Sequence, residues 1–351
     1  MGSNFWVKKM KIAVDCRMSG KSGIGTFLDE ILPYFKNSGN ELFLFGGKEG
    51  EVCNVKTFSL KEMFFFPKEL LKKINSCDIY FSPYCNIPGG IKIPVFSTIH
   101  DIVFLDVKGL CGKIGTIARK FFYKRAIKKS KEIFTVSNFS KERIEKVLKC
   151  KKKIAVVYNG LPNYMEKKCP NAQKDNSIIF IGNIKKHKGL SVLLEAFEKF
   201  YQLESTEKPK LLIVGSQDNF RTKDNNISEK ISELNSKFPD SIEFTGFVEN
   251  EKLLILLSRA KFLVQPSLYE GFGIPPLQAL FCGTKAVISD IPVFKEIYDG
   301  FPVVFFQSGN SSDLCEKMRK TFCDDSPLGE IPEKYSYKKT ASLILSEITR
   351  K

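Results

Sequence analysis

The sequence predicts an α/β protein built from two doubly wound parallel sheets. Short apolar runs recur along the chain, and each is short enough for a strand that is buried on both faces. Segments with apolar residues at helical spacing lie between these runs, as expected of βαβ units. A length of 351 residues with 43% apolar residues is enough for two cores. The predicted strands are 12–14, 95–99, 133–136, 178–181, 211–214 and 261–265.

The boundary between the two domains is predicted between Leu161 and Ser177. Prolines and asparagines interrupt the periodicity there, and lysines make the segment polar. We therefore predict an N-terminal domain over 10–163 and a C-terminal domain over 177–335. Near the start of the C-terminal domain, five apolar residues line one face of a predicted helix: Leu190, Leu193, Leu194, Phe197 and Tyr201.

A glycine-rich turn that leads into a helix is the most informative segment. It follows the strand predicted over 261–265. Gly271 and Gly273 allow a sharp turn, and Pro275 and Pro276 suit a first helical turn because their missing N–H groups would have no helical partner. The remaining N–H groups lie at the positive end of the helix dipole, where a phosphate can bind. The segment therefore predicts an anion-binding cradle.

This cradle resembles the donor-binding motif of the retaining, nucleotide-sugar-dependent glycosyltransferases of family 4. In that family a Glu-Gly-Phe-Gly-x-Pro run opens a pair of carboxylates eight positions apart. Glu270 matches the first carboxylate, whereas Gln278 stands at the second position. Further motifs in matching order extend the resemblance over most of the chain: Gly23-Ile24-Gly25, His100-Asp101, Thr135 to Ser140, Asn159-Gly160, Gly182-Asn183, Lys188-Gly189 and Phe244 to Val248.

The resemblance implies the GT-B fold, in which two Rossmann-like domains face each other across a cleft. It places the acceptor mostly on the N-terminal domain and the donor nucleotide mostly on the C-terminal domain. It also implies that a terminal helix over 338–350 crosses back onto the N-terminal domain. The implied reaction is the transfer of a hexose-type sugar, with retention, from a nucleotide-sugar to a glycan or lipid-linked acceptor.

Lys188 precedes the helix that begins near Leu190, so its ammonium can reach a diphosphate at the helix N-terminus. Spacing alone favours a solvated lysine, and the resemblance reverses that preference. The resemblance assigns Glu270 to the donor sugar and position 278 to the ribose hydroxyls, where a glutamine keeps one carbonyl acceptor and adds an NH₂ donor. For Glu270 and Gln278 the alternative is a solvated side chain.

His100 follows a predicted strand, and ligands bind at the carboxyl ends of strands in open α/β sheets. The residues alone explain it equally well as a neutral imidazole that satisfies a loop carbonyl. The resemblance implies that His100 contacts the donor sugar near the reacting carbon without acting as a nucleophile. The implied catalytic set is therefore His100, Glu270 and Lys188.

The resemblance also implies a wider donor site. Gly23 and Gly25 belong to this implied site. They do not fit a dinucleotide fingerprint, because Gly20-x-x-Gly23-x-Gly25 has the wrong spacing. A tight strand-to-helix turn explains these glycines as well as an approach to the donor phosphate does. Asn183 stands where many family members carry arginine. The donor-binding set is Gly23, Gly25, Asn183, Phe247, Val248, Gly271, Phe272, Gly273, Ile274 and Gln278.

We expect neither a metal ion nor a cofactor, with the nucleotide-sugar as substrate. Transfer from a phosphate leaving group needs either a divalent metal or cationic groups. The chain has no Asp-x-Asp motif and no Cys-x-x-Cys pair, and it has only two histidines. Cationic side chains and helix termini are therefore expected to neutralise the leaving group.

The net charge of +16 indicates an anionic partner. The densest basic segment, 113–131, also carries apolar residues and is either an interfacial helix or a domain helix whose apolar stripe is core. Three consecutive phenylalanines at 64–66 cannot share one helix face, so one of them is expected to be exposed.

We expect a cytoplasmic protein, peripheral on the inner face of the membrane, because the chain shows neither a membrane-spanning run nor a secretory signal. One alternative is a catalytically silent nucleotide-sugar or glycan-binding protein on the same fold, indicated by Asn183 and Gln278. A nucleic-acid-binding protein is indicated only by charge and lacks a recognised motif. We therefore expect no nucleic-acid partner.

Overall fold

The structure is a computed structural model, and it describes residues 9–20, 22–166, 172–204, 208–215 and 225–350. The chain divides into two compact units. Part of the predicted linker, residues 167–171, lies outside the described residues. Unit 1 contains Met1–Asp106, Cys111–Pro162 and Tyr335–Lys351, and unit 2 contains Val107–Leu110 and Asn163–Lys334.

Unit 1 is built on six parallel strands. They are β1 (Lys11–Asp15), β2 (Glu41–Phe45), β3 (Ile79–Ser82), β4 (Val95–Thr98), β5 (Ser130–Thr135) and β6 (Ile154–Val156). Their order in the sheet is β2-β1-β3-β4-β5-β6, and every neighbouring pair is parallel. The connecting helices are α1 (Ser22–Lys36), α2 (Leu60–Phe64), α3 (Lys68–Asn75), α4 (Val103–Asp106), α5 (Lys113–Lys129) and α6 (Asn138–Leu148).

The order of the strands locates a crevice in unit 1. From β1 the chain moves outward to β2 and then returns to β3 on the other side of β1. Connections that leave adjacent strands in opposite directions open a crevice outside their carboxyl ends, where ligands bind in doubly wound sheets. In unit 1 this switch point lies after β1 and β3.

The last helix of the chain, α13 (Tyr337–Thr349), belongs to unit 1 and packs against α1. The Ser336 hydroxyl caps it by accepting from the Lys339 N–H at 3.2 Å. Thr340 donates its hydroxyl to the Tyr158 carbonyl, just beyond β6. Gly160 has no room for a side chain, since an added Cβ would lie 2.2 Å from the Tyr337 nitrogen. The start of α13 is thus fixed against the segment after β6.

The basic helix predicted over 113–131 is α5, which ends at Lys129, and Lys131 lies in β5. Its core residues are Tyr123 and Ala126. Three apolar residues on one face are instead exposed, so the alternative in which they form core is wrong. These are Ile114 (85% exposed), Ile117 (68%) and Phe121 (53%).

The three phenylalanines at 64–66 do not share an environment. Phe66 is buried, whereas Phe64 is 71% and Phe65 is 75% exposed. The helix α2 ends at Phe64, so the chain direction changes within the triplet. Two exposed phenylalanines are found where the sequence predicted one.

Unit 2 is built on a second sheet of six parallel strands. They are β7 (Ser177–Ile181), β8 (Lys210–Val214), β9 (Ile242–Gly246), β10 (Phe262–Gln265), β11 (Lys285–Ser289) and β12 (Val303–Phe306). Their order is β12-β11-β10-β7-β8-β9, again with parallel pairs only. Its helices are α7 (Leu190–Leu203), α8 (Asn225–Lys237), α9 (Asn250–Arg259), α10 (Pro275–Phe281), α11 (Pro292–Ile297) and α12 (Ser311–Phe322).

The predicted apolar face of α7 packs into the core of unit 2. Leu190 is nearly fully buried, and Leu193, Leu194 and Phe197 are fully buried. Tyr201 is only half-buried, since Phe200 takes the fully buried position at this end of the helix. The predicted fold class, two doubly wound α/β domains, is confirmed by the two parallel sheets. In unit 2 the switch point lies between β7 and β10.

Candidate active site

The segments after β7 and β10 meet at the switch point of unit 2. After β7 the chain forms a 3-10 turn over Lys186–Lys188. The His187 carbonyl accepts hydrogen bonds from the N–H groups of Leu268 (2.8 Å) and Tyr269 (3.4 Å) in the loop after β10. Gly189 follows with φ +69°, and an added Cβ would lie 1.9 Å from the Pro266 carbonyl oxygen. Backbone contacts therefore fix the two segments against each other.

Lys188 and Glu270 form an ion pair at this point. The Lys188 Nζ lies 2.6 Å from Glu270 Oε1, and their side chains are 22% and 9% exposed. The Ser267 hydroxyl donates to the same Glu270 oxygen at 2.8 Å. The two polar residues singled out in the sequence, 82 positions apart, are thus brought together.

A second row of polar side chains supports this pair, and the sequence analysis missed it. Gln265 Nε2 donates to the Ser267 hydroxyl at 3.0 Å, and the Ser289 hydroxyl donates to the Ser267 carbonyl at 2.5 Å. All three side chains are fully buried. The sequence signal that could have predicted this row is the presence of polar residues at the carboxyl ends of two apolar strands, β10 and β11. Ser267 is held in place to orient the Glu270 carboxylate.

His187 lies next to Lys188 in the 3-10 turn and is uncharged. Burial, and secondarily the positive charge of Lys188, lower the pKa of His187 to about 4. Its Nδ1 is buried without a hydrogen-bond partner among the described residues. The cationic character of the turn near Glu270 therefore comes from its lysines.

The predicted turn and helix are present, but the N–H groups left without an acceptor differ from the prediction. Pro275 and Pro276 occupy the first turn of α10 as expected. The next N–H, that of Leu277, already donates to the Tyr298 hydroxyl at 3.1 Å. The prediction that the amides of the first helical turn bind the anion is therefore wrong for Leu277.

The N–H groups that remain lie in the turn before α10. Those of Gly273 and Ile274 have no acceptor in the part of the chain that the structure describes. Gly273 has φ +85°, and an added Cβ would lie 2.3 Å from the Phe294 ring. Only glycine therefore fits at position 273 in this turn. Phe272 is buried beside it, and Gly271 completes the turn after Glu270.

Gln278 is buried and belongs to a specific contact. Its Nε2 donates to the Tyr164 hydroxyl at 2.5 Å, and both residues belong to unit 2. The alternative of an exposed helix residue is wrong, because the side chain is 7% exposed. The carbonyl Oε1 remains as an acceptor. Tyr164 is a further candidate site residue. The sequence analysis missed it because it lies far from Gln278 in the chain.

The substitution Gln278→Glu is expected to keep or tighten the binding of nucleoside diphosphates. A carboxylate can accept from both ribose hydroxyls and from the Tyr164 O–H at the same time. Isothermal titration of both proteins with the same nucleoside diphosphate measures the change. Tyr164→Phe in each background is the control. A sharp loss of affinity in Gln278→Glu alone would mean that the NH₂ group is itself a required donor.

The carboxyl ends of β7, β8 and β9 converge on glycines. Gly215 cannot carry a side chain, because its Cβ would lie 2.2 Å from the Gly182 carbonyl oxygen. Its N–H donates to the Gly246 carbonyl at 3.0 Å. Asn183 is half-buried beside this contact. Beyond β9, Phe247 is 75% exposed, whereas the adjacent Val248 is buried.

In unit 1 the predicted glycines lie inside a helix rather than in a turn before it. Gly23 and Gly25 belong to the first turn of α1, which begins at Ser22. An added Cβ at Gly25 would lie 2.4 Å from the Met18 carbonyl oxygen, whereas nothing lies within 4 Å of one at Gly23. Close packing therefore explains Gly25 and leaves Gly23 without a structural requirement.

His100 is neutral and engaged with a loop carbonyl. Burial lowers the pKa of His100 to about 4, so the ring is uncharged at pH 7. Its Nε2 lies 2.9 Å from the Pro83 carbonyl oxygen, which requires that Nε2 carry the proton and donate. The ring packs edge-on against Phe27 at 4.9 Å. Nδ1 is then an acceptor that cannot donate to a leaving group.

The switch point of unit 1 holds a buried charged cluster that the sequence analysis missed. The Arg17 guanidinium donates to Asp15 through Nε (2.9 Å) and NH2 (2.5 Å), and to Glu62 through NH2 at 2.7 Å. Tyr80 and Asn86 also donate to Asp15, at 2.8 and 3.0 Å. Every side chain in the cluster is at least 95% buried. Only the fold brings together residues that are separated by up to 71 positions.

Two further properties concern the described residues as a whole. Within them, no group of three or more His, Cys, Asp or Glu side chains is placed to hold a metal ion. No helix among them is both long and apolar enough to cross a bilayer.

Two family models match consecutive parts of the chain. The model described as Glycosyltransferase Family 4 matches residues 22–162, and the one described as Glycosyl transferases group 1 matches residues 165–340. The chain belongs to the family 4 glycosyltransferases. The resemblance proposed from the glycine-rich motif and its companions is thereby confirmed.

One curated relative is RfbU, an O-antigen chain mannosyltransferase of Salmonella typhimurium. It is 32% identical to this glycosyltransferase over 181 residues, which cover 51% of the glycosyltransferase and 47% of RfbU. The aligned part of the chain thus spans about half the length of this relative.

Two solved structures share the fold of the glycosyltransferase. Sucrose-phosphate synthase of Thermosynechococcus elongatus superimposes with a TM-score of 0.67 at 15% identity, covering 97% of this chain and 96% of that one. HepE of Anabaena, in complex with UDP-glucose, superimposes with a TM-score of 0.63 at 13% identity, covering 96% and 95%. At these identities the comparison establishes the fold alone.

Proposed function

We propose that this glycosyltransferase moves a hexose-type sugar from a nucleotide-sugar to a glycan or lipid-linked acceptor, with retention and without a divalent metal. The ion pair between Lys188 and Glu270 carries this proposal. It lies at the switch point of unit 2, where doubly wound sheets bind nucleotides. The ammonium of the pair suits the diphosphate of a nucleotide-sugar. The carboxylate suits the hydroxyls of the sugar that is bonded to that diphosphate.

Binding of the donor would rearrange the charges of this pair. Without a ligand, the Lys188 ammonium and the Glu270 carboxylate neutralise each other at 2.6 Å. A bound diphosphate brings negative charge that attracts the ammonium, and the free N–H groups of Gly273 and Ile274 add two neutral donors. Glu270, still held by Ser267, would then accept from hydroxyls of the sugar.

Retention is proposed to follow a front-face route. The bond between the anomeric carbon and the leaving phosphate oxygen breaks while the acceptor oxygen bonds to the same face of that carbon. The acceptor proton passes to the leaving phosphate oxygen. In this scheme Lys188 stabilises the negative charge that develops on the diphosphate. His100, which is neutral, is proposed to contact the sugar through its Nδ1 acceptor.

Mannose is the first donor sugar to test, because RfbU carries the name of a mannosyltransferase. Glucose is the second, because HepE was solved with UDP-glucose. The proposed acceptor is a bacterial-type surface glycan or its lipid-linked precursor, which agrees with the O-antigen acceptor in the name of RfbU. The proposed location is the cytoplasm and the inner face of the membrane.

A thermal-shift panel of nucleoside diphosphates tests the donor site directly. A ligand at about 100 times its dissociation constant adds roughly 2.7 kcal/mol to the free energy of unfolding. One or more nucleoside diphosphates should raise the Tm of the protein. The corresponding nucleotide-sugar, with mannose or glucose, should be consumed when a cell extract that contains the acceptor is added. Binding without turnover would favour a silent binding protein, as the departures at Asn183 and Gln278 allow. Binding of no diphosphate would refute the donor site.

Vesicle binding tests the proposed membrane contact. On α5, exposed lysines lie beside the exposed side chains of Ile114, Ile117 and Phe121. The helix contains seven basic and no acidic residues. Binding should require anionic lipid and weaken as salt rises, because salt screens the attraction to acidic head groups.

The matched variant replaces Lys120, Lys124 and Lys128 with glutamine. Arg125 is excluded from it, because its NH1 donates to the Ile87 carbonyl and its removal would disturb the fold. This triple variant should lose vesicle binding in a sedimentation assay and keep its affinity for nucleoside diphosphates. Equal sedimentation with neutral and anionic vesicles would contradict the proposed contact.

A further inference from the structure

Unit 1 contains a cavity that the reaction proposed above does not use. Its volume is about 260 Å³, and aromatic, sulfur and aliphatic groups line most of it. The helix α5 supplies Ala118 and Phe122, and the segments before α2 and after β3 supply Phe58, Tyr84 and Cys85. An apolar cavity of about 150 Å³ already holds a benzene molecule. The space is therefore large enough for a segment of an apolar chain.

Phe58 forms one wall of the cavity, and contacts of its backbone and its ring fix its position. Phe58 has φ +61°, a conformation that is costly for a bulky residue. Its N–H donates to Glu62 Oε2 at 2.6 Å, and Glu62 is bound by Arg17 in the buried charged cluster. The Phe58 ring meets Phe122 at 4.9 Å and Tyr84 at 5.3 Å, edge-on in both cases. The cluster thus keeps a strained aromatic side chain against the cavity.

The surroundings of the cavity indicate the chemistry of its occupant. Arg119 lies in its lining, with the guanidinium stacked 3.6 Å over the Phe104 ring. The same helix exposes Ile117 and Phe121 beside its basic residues. An apolar space with positive charge around it is complementary to an amphiphile that has an apolar chain and an anionic head.

The cavity also adjoins His100. Tyr84 lines the cavity, and its ring centroid lies 6.4 Å from that of His100, which is proposed to contact the sugar. We propose that the cavity binds the first segment of the apolar chain of a phosphate-linked lipid acceptor. This inference rests on the proposed function and narrows its acceptor to an anionic lipid. The chain next to the phosphate enters the cavity, and the basic face of α5 lies near the head group.

Binding of geranyl phosphate, below the concentration at which it forms micelles, tests the cavity. We expect it to bind the full-length wild-type protein in isothermal titration, whereas inorganic phosphate at equal concentration does not. Ala118→Trp, which fills the cavity, should weaken this binding by about tenfold, the change expected when two methylene groups lose their contacts. Leu203→Trp, at an exposed position of unit 2 outside the lining, is the control and should bind as the wild type does. Equal binding by both variants would overturn the proposal.

A second measurement on the wild type does not depend on the folding of a variant. A diazirine analogue of geranyl phosphate should label Phe58, Tyr84 or Phe122, as mapped by mass spectrometry, and geranyl phosphate should suppress that label. Labels confined to other residues would overturn the proposal. Suppression by vesicles of dioleoylphosphatidylglycerol alone would also overturn it, since the cavity would then hold a bilayer lipid.

The affinity for nucleoside diphosphates, measured on the same samples, separates the two proposals. If diphosphates bind and geranyl phosphate does not, the lipid cavity is wrong and the donor site stands. If geranyl phosphate binds the cavity and no diphosphate binds, the proposed function fails instead.

Discussion

Replacing Lys188 with alanine is expected to lower turnover by about 10²–10³-fold, the usual effect of removing one preorganised group that stabilises developing charge. The ammonium at position 188 is the cation paired with Glu270 at 2.6 Å. Its loss would remove a charged donor to the diphosphate, and nucleoside diphosphate binding should weaken as well. Steady-state kinetics with the nucleotide-sugar identified by the thermal-shift panel measure the first effect, and titration with the diphosphate measures the second.

The matched control for this variant is Lys186→Ala. Lys186 lies in the same 3-10 turn, and its side chain is exposed. Its removal should leave turnover near the wild-type value, which would show that the effect at 188 does not arise from net charge. Glu270→Gln combined with Lys188→Ala shows whether the orphaned carboxylate contributes to the loss. Unchanged kinetics in a folded Lys188→Ala protein would refute the assigned role.

Replacing Arg17 with leucine is expected to destabilise the protein by about 3–5 kcal/mol, the usual cost of leaving a buried charge without its partner. The Asp15 and Glu62 side chains are 1% exposed, and the Arg17 guanidinium pairs with both. Without it, two buried carboxylates would face each other with only neutral donors. Urea denaturation, followed by circular dichroism, measures the free energy of unfolding.

The control for this variant is Arg17→Lys. A lysine keeps the positive charge but loses the bidentate contact with Asp15, so its destabilisation should be smaller. Geranyl phosphate binding should weaken in both variants, because Glu62 holds the Phe58 backbone at the cavity. Wild-type stability in Arg17→Leu would show that the carboxylates reach other partners.

Local chemistry was sufficient to predict six of the twelve described strands and the turn that leads into α10. The apolar runs at 178–181 and 211–214 became β7 and β8, and the paired prolines at 275 and 276 begin α10. These features depend on residues close in sequence, so spacing and side-chain type define them.

The remaining features depend on tertiary contacts. Leu277 loses its free N–H because Tyr298, 21 positions away, reaches back to it. The partner of Gln278, Tyr164, lies 114 positions away in sequence. The exposure of Ile114 and Ile117 depends on which face of α5 the sheet covers. Periodicity shows that a helix has an apolar stripe but cannot show whether another element buries it.

The position of α13 has a consequence for the order in which the chain matures during synthesis. Apart from residues 107–110, unit 2 is one continuous stretch that ends at Lys334, so it can acquire its contacts as soon as that residue has left the ribosome. Most of unit 1 is translated first, but it cannot complete its packing before residues 337–349 have emerged. Until then, the face of α1 that they cover is open to solvent or to a chaperone. The half of the protein that is made earliest is therefore the half that is completed last.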